Sequence, residues 1–273
     1  MIKDIPISII TLTKNDHLKF AKTLNSIKSQ KRSFNIEWVI IDGSNKKTNQ
    51  KNKEFIELKL NKQKKILINH TNSKDKNIKG IYECMNYGKN ISKGNFIIFL
   101  NSGDIIFNRN ALEIYFKQSL NIDIKNSLIF GQANIIANKK INWFFPGNNL
   151  KNINHWLRFF EPNHQTMLVS NNLARRFDFP TKYNLIGDGY WKRQILNEAK
   201  NILFIKKPLI KFFLDGVSST KPSRKVFESL ILNKNISLFR KTIFIIKFFF
   251  PIKIYSFYYL IQKFKSNLVD LFL

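Results

Sequence analysis

Cysteine is nearly absent: Cys84 is the single one in 273 residues. No internal disulfide can form, which fits a reducing compartment. Acidic residues are also scarce, 18 Asp and Glu against 46 Lys and Arg, leaving a formal charge of +28. A surface this basic attracts nucleotide phosphates, nucleic acid or an anionic membrane face without choosing among them. Part of the excess follows from a chain crowded with Lys, Asn, Ile and Phe together, as an A/T-rich coding sequence would produce. Long uncharged apolar runs are missing, since none reaches the roughly 18 residues expected of a spanning helix. Met1 to Leu12 lacks the basic, apolar and small-residue succession of a signal peptide and reads as a first strand. These absences predict a cytosolic protein. No repeat recurs at a fixed period, and no nucleic-acid-binding motif is present, the basic residues being spread rather than clustered.

Hydrophobic residues make up 44% of the chain, enough for a sizeable core and too many for a disordered polymer. Ile5 to Leu12 is a short β-branched run suited to a buried strand. Leu18, Ala21, Leu24 and Ile27 recur at the helical period within Leu18 to Gln30. Glu37 to Asp42 reads as a strand, Lys65 to Asn69 as a weaker one, Ile81 to Ile91 as a helix and Asn95 to Asn101 as the clearest strand. Asp188 to Ala199 reads as a helix, followed by two strands at Ile202 to Lys206 and Pro208 to Leu214. Strands alternating with helices predict an α/β fold with a mainly parallel, doubly wound sheet flanked by helices. Ligands of such sheets gather at the carboxyl ends of the strands, where Asp42 and Asp104 both lie. The character changes near Gly216 to Ser223, and we divide the chain into a domain over 1–220 and a basic, aromatic-rich helical segment over 221–273.

Asp42 ends a strand in IIDGSN, where it could accept hydrogen bonds from a nucleobase or ribose; a turn aspartate is the bland alternative. Gly80 to Asp104, GIYECMNYGKNISKGNFIIFLNSGD, is more specific. Gly80, Ile81, Tyr82, Met85, Asn86 and Gly88 stand in order, and an apolar strand then ends in Leu100-Asn101-Ser102-Gly103-Asp104. This pattern resembles the family 2 glycosyltransferases, in the bacterial branch that builds capsule, O-antigen, colanic acid and related polysaccharides. Glu83 replaces that branch's usual Asp and Cys84 its Ala. The resemblance spans roughly residues 5 to 220.

The resemblance implies a GT-A, Rossmann-like fold and inverting sugar transfer from a nucleotide diphosphate donor, a UDP-sugar favoured and a GDP-sugar the alternative. Thr11, Thr13, Asn15, Asp42, Asn86, Asn101 and Ser102 would line the nucleotide sugar, Asp42 meeting the base. Asp104 is the remaining carboxylate of the acidic turn and would hold Mn²⁺ or Mg²⁺, joined by His164 of PNHQTM. One carboxylate can suffice, because the pyrophosphate adds oxygens. A loop histidine hydrogen-bonded in place is the bland reading of His164. Asp188, in LIGDGYWKRQI, corresponds to the family's general base and reads otherwise as a helix N-cap. Asp75 resembles the acid that precedes G-I-Y at a shorter spacing, and Asp215 replaces a glycine of a G-G-V-S ending. Arg158, Arg175, Arg176, Lys192 and Arg193 are candidate phosphate contacts, or solvated basic surface.

The acceptor implied is a glycan or lipid-linked oligosaccharide. The segment from Ser237 onward, rich in Phe and Tyr between basic residues, suits either an anionic membrane surface or packing against the catalytic domain. A peripheral position at the inner face of the cell membrane follows from the first. Two other classes remain: an inactive, glycosyltransferase-like scaffold at that surface, and a basic nucleic-acid-binding protein.

Overall fold

The computed structural model describes residues 6–137, 141–158, 160–183 and 187–214, together with residue 245. In chain order the elements are β1 (Ile7–Thr13), α1 (His17–Lys28), β2 (Ile36–Asp42), α2 (Lys46–Leu60), β3 (Ile66–Asn72) and α3 (Ile81–Ile91). They continue with β4 (Phe96–Phe99), β5 (Ile105–Ile106), α4 (Ala111–Ser119), β6 (Ser127–Ile136), β7 (Asn142–Phe145) and α5 (Ile153–Leu157). A 3-10 turn (His164–Thr166), β8 (Met167–Ser170), α6 (Asn171–Arg175), α7 (Gly187–Glu198) and β9 (Asn201–Phe213) complete the series. All seven residues of β2 are buried, as befits a strand covered on both faces.

Alternation along the strands assigns side chains to two cores. Ile7, Ile9, Trp38 and Ile40 meet Phe20 and Leu24 of α1, Ile56 and Leu60 of α2, and Leu112 and Tyr115 of α4. Ile10, Val39, Ile41, Ile97 and Phe99 face the other way, toward Tyr82 and Met85 of α3 and Trp191 and Ile195 of α7. Each large apolar side chain so buried contributes about 1.5–3 kcal/mol. α3 lies close on β1 because Gly88 carries no side chain: a Cβ there would sit 2.7 Å from Ile10 Cγ2. Asp16 and Asn45 cap α1 and α2, accepting from the amides of Lys19 and Thr48, each at 2.9 Å.

The sheet runs β3-β2-β1-β4-β8-β6-β9-β5, with β7 paired to β6. β3, β2, β1 and β4 are mutually parallel. The chain steps outward from β1 to β3, then crosses back to β4, so its direction reverses between β1 and β4. This is the switch point where a crevice opens at the carboxyl ends of the strands. Beyond β4 the sheet is mixed: β8 is antiparallel to β4 and β6, whereas β6 and β9 are parallel. The two strands expected at 202–206 and 208–214 are one strand, β9. Its register against β6 shifts at Gly131–Ala133, opposite Pro208, and an irregularity of this kind tolerates a proline that cannot donate to the ladder. The expected boundary near 216–223, Asp215 and the segment 221–273 lie outside the described residues, apart from residue 245. Among the described residues no helix is long and apolar enough to cross a membrane.

Candidate active site

Four strand ends and one turn meet at the switch point. After β1, Asn15 adopts a left-handed backbone (φ 54°). Its amide donates to Ser44 Oγ at 2.8 Å and its side-chain oxygen accepts from Asn45 N at 2.8 Å. Asn15 thereby ties the β1 loop to the β2 loop while remaining exposed. Thr13 Oγ1 donates to Ser102 Oγ at 3.3 Å, joining the ends of β1 and β4. Thr11 is fully buried and accepts from Trp38 Nε1 at 2.9 Å. Thr11 is expected along the donor, and its side chain here supports the core.

Asp42 is likewise fully buried. Its Oδ1 accepts from Ser44 N and its Oδ2 from Asn52 Nδ2, both at 2.8 Å, and His70 Nε2 approaches Oδ2 at 3.4 Å. Asn52 Oδ1 in turn lies 2.8 Å from His17 Nδ1. Burial alone would raise the Asp42 pKa, but His70, Ser44 and Asn52 together outweigh it and hold it below the usual carboxylate value. The carboxylate expected at the base links β2 to α2 and β3 through these contacts. Asn86, expected along the nucleotide sugar, bonds to the segment before α7. Its amide donates to Phe179 O at 2.9 Å and accepts from Phe179 N at 2.8 Å. Both ends brace the segment before α7.

The turn after β4 is held from three sides. Thr23 Oγ1 donates to Asp104 O at 2.7 Å and accepts from Gly103 N at 3.0 Å. Gly103 has φ 105°, a conformation glycine adopts without strain. The Asp104 carboxylate accepts from Phe213 N at Oδ1 and from Gln165 Nε2 at Oδ2, both at 2.7 Å. Gln165 Oε1 accepts from Asn101 N at 2.8 Å. Asn101 Oδ1 and His164 Nε2 are buried without a hydrogen-bond partner among the described residues. A carboxylate, an amide oxygen and a neutral imidazole nitrogen are donor types that a hard divalent ion takes beside water and phosphate. No cluster of three or more acidic, His or Cys side chains occurs among the described residues.

Asp188, in the first turn of α7, faces two partners. His164 Nδ1 lies 3.5 Å from its Oδ2, and Tyr82 Oη donates to its Oδ1 at 3.5 Å. Gly187 makes this possible, because a Cβ there would fall 2.7 Å from the Tyr82 ring. Burial drives the His164 pKa down to about 4, Lys192 adding to the shift and Asp188 opposing it, so the imidazole is neutral near pH 7. Burial first, and the Asp188 charge second, raise the Tyr82 pKa, which keeps the phenol a donor. The Asp188 side chain is 29% exposed, sufficient for contact with a substrate hydroxyl.

The candidate phosphate-binding cations are largely engaged elsewhere. Arg175 donates to Ser92 O and Asn90 O, Arg176 pairs with Glu198, and Lys192 and Arg193 both pair with Glu161. Arg158 and Asp75 are exposed. Sequence reasoning assigned no role to Gln165, Asn52, His70 or Tyr82. The Gln165 signal is the H-Q pair it forms with His164, which resembles a pair of the same glycosyltransferase branch; Asn52 and His70 carry none beyond polar residues on buried elements.

No family model matches the sequence, and no curated protein matches it. Solved structures do. TarS of S. aureus, residues 1–349 in complex with UDP-GlcNAc, aligns with a TM-score of 0.60 at 18% identity, covering 89% of this chain and 71% of that one. The chain has a GT-A-like glycosyltransferase fold. Against the longer TarS structure the TM-score is 0.55 and the chain spans 43% of that protein. The mannosyltransferase PcManGT of Pyrobaculum calidifontis, in complex with GDP-Man and Mn²⁺, aligns with a TM-score of 0.54 at 13% identity, covering 84% of this chain and 60% of that one.

Proposed function

We propose that the chain transfers a sugar from a nucleotide diphosphate donor to an acceptor hydroxyl, with inversion. The observation that carries this reading is the convergence of two acids on one turn. Gln165 contacts Asp104 at the switch point while the adjacent His164 contacts Asp188. Asp104 then marks the diphosphate side and Asp188 the acceptor side. Asp188 takes the proton of the acceptor hydroxyl as its oxygen attacks the anomeric carbon, and the bond to the diphosphate breaks with its electron pair leaving on phosphate. Neutral His164 and un-ionised Tyr82 hold the Asp188 carboxylate in place and leave it able to accept that proton. Asp104, with Asn101 Oδ1 and His164 Nε2 as further donors, would hold Mn²⁺ or Mg²⁺, which when bound neutralises charge on the departing diphosphate. Asn15, Thr13 and Ser102 lie where the nucleotide crosses the strand ends.

A UDP-sugar is the favoured donor and a GDP-sugar the alternative, the two nucleotide types seen with the structural relatives. The acceptor we infer is a glycan or lipid-linked oligosaccharide of cell-surface polysaccharide synthesis, such as capsule or O-antigen, met at the inner membrane face through the basic segment 221–273. The test is release of nucleoside diphosphate from a panel of nucleotide sugars with and without Mn²⁺. Wild type should show metal-stimulated release that Asp104→Ala abolishes. Asp188→Asn should lower transfer about 10²–10⁴-fold while leaving donor affinity within about twofold. Background release in every case would favour an inactive scaffold. Tight nucleic-acid binding with a steep salt dependence would favour the nucleic-acid class instead.

A further inference from the structure

We infer that Asn86 and Phe179 are positioning residues for Asp188, an assignment that deepens the proposed function and rests on it. They act through two aromatic rings beside the acid. The Phe179 ring is stacked between Tyr82 of α3, at 6.0 Å and 6°, and Trp191 of α7, at 4.6 Å and 17°. Phe99 of β4 closes the stack edge-on, 5.2 Å from Phe179 and 5.7 Å from Trp191. All four rings are buried. Tyr82 carries the hydroxyl that meets Asp188 Oδ1, and Trp191 follows Asp188 on the same helix. Phe179 therefore spaces the helix that bears the acid from the helix that bears its hydroxyl partner.

Asn86 fixes where that spacer stands. Its one amide takes both backbone groups of Phe179, donating to O at 2.9 Å and accepting from N at 2.8 Å. The residue can neither slide nor turn its ring out without breaking both bonds. Lys89, further along α3, donates to Phe177 O at 2.5 Å and to Asp178 Oδ1 at 2.6 Å. Tyr82, Asn86 and Lys89 recur at the helical spacing and share one face of α3. That face holds residues 177–179 and the first turn of α7 in one arrangement. The fit at α7 is close: a Cβ on Gly187 would fall 2.7 Å from the Tyr82 ring, so a shift of the ring displaces the backbone next to Asp188. Misplacing a reacting group by about 1 Å can cost about 10²-fold in rate.

The experiment follows release of UDP from UDP-GlcNAc and of GDP from GDP-Man, with Mn²⁺ and with water as acceptor. Single-turnover constants and donor affinities are compared for wild type, Asn86→Leu and Phe179→Met, each with Asp188 present and in an Asp188→Asn background. Phe179→Met fills the slot and keeps both backbone bonds to Asn86, which guards against a folding failure of Asn86→Leu; circular dichroism at the assay temperature reports folding. With Asp188 present, each change should lower the single-turnover constant about tenfold or more while donor affinity stays within about twofold. In the Asp188→Asn background the same changes should lower it less than about twofold, because no carboxylate remains to be misplaced. A purely structural loss would act alike in both backgrounds. Unchanged turnover in the folded methionine variant, or an equal fall in both backgrounds, overturns the assignment and leaves the proposed function standing. An Asp188→Asn protein as fast as wild type, or a wild type that releases no nucleoside diphosphate from either donor, overturns the reading on which the assignment rests and the assignment with it.

Discussion

Replacing Asp42 separates a strut from a ligand contact, and the structure gives the size of the effect. In Asp42→Ala the Ser44 amide and Asn52 Nδ2 lose their acceptor in a region with no exposure at Asp42, Ser44 or Asn52. Each unsatisfied buried donor costs about 1–3 kcal/mol, so the pair should cost roughly 4 kcal/mol. That is a large share of the roughly 5–15 kcal/mol by which domains are typically stable, about a quarter or more. Asp42→Asn should behave differently. The new amide can keep its oxygen on Ser44 N and place its nitrogen toward Asn52, whose own amide then turns over. His17 Nδ1, now 2.8 Å from Asn52 Oδ1, would become the acceptor by a change of tautomer. A network that re-pairs in this way should lose only about 1 kcal/mol.

Urea unfolding with unchanged m-values would measure both losses, and calorimetry of UDP and GDP binding would follow the crevice. The pH dependence adds a check with a definite sign. The Asp42 pKa is lower in the folded protein than the ordinary aspartate value of 3.8. Its contribution is therefore present above about pH 4 and lost as pH falls further. Asp42→Ala should flatten that acid limb. A variant as stable as wild type to within about 1 kcal/mol, yet with nucleotide affinity lost, would refute the strut and return Asp42 to the base.

Acid should also act through His164. Its folded pKa is about 4 against an ordinary histidine value of 6.5, so the unfolded chain takes up the proton first and stability falls as pH drops from 6.5 toward 4. The integrated loss is roughly 3 kcal/mol, and a His164→Gln protein should lack it in the same urea series. Asn86→Leu leaves Phe179 N and O unpaired and should cost about 2–4 kcal/mol without altering UDP or GDP affinity; loss of nucleotide binding in a protein of wild-type stability would restore Asn86 to the donor site. Gly94→Ala sets a Cβ 2.5 Å from Ser8 N and 2.8 Å from Ile7 C, where backbone must move. Its melting midpoint should fall by an amount equivalent to at least about 2 kcal/mol, and an unshifted midpoint would show that β1 and β4 tolerate wider spacing.

The half of the fold that carries clear periodicity was legible. The helix 81–91 and the strands ending at Asp42 and beside Asn101 follow from apolar spacing, because a covered parallel sheet leaves continuous β-branched runs. α2 was not legible: Lys46–Leu60 buries Asn49 and Asn52 beside Ile56 and Leu60, so half of its inward face is polar and the apolar stripe is broken. The 3-10 turn His164–Thr166 was equally hidden, being too short for any period. At the site, residue type located Asp42, Asp104 and Asp188 at the ends of their elements, but type does not reveal occupancy. Thr11 and Asn86 differ from Thr13 and Asn15 only in what their side chains already hold. That distinction depends on partners such as Trp38, 27 residues from Thr11, and Phe179, 93 residues from Asn86.

The charge of the chain bears on the same point. A formal +28 suggests that lysine and arginine would anchor the buried acids, yet neutral donors do much of this. Glu37 is buried and accepts from Ser8 Oγ at 2.5 Å and Lys93 N at 2.7 Å. Asp42 accepts from an amide side chain and a backbone amide, and Asp104 does the same. Neutral donors fix the direction of a buried carboxylate without cancelling its charge, which is how Ser8 and the Lys93 amide hold Glu37, and how Asn52 and the Ser44 amide hold Asp42.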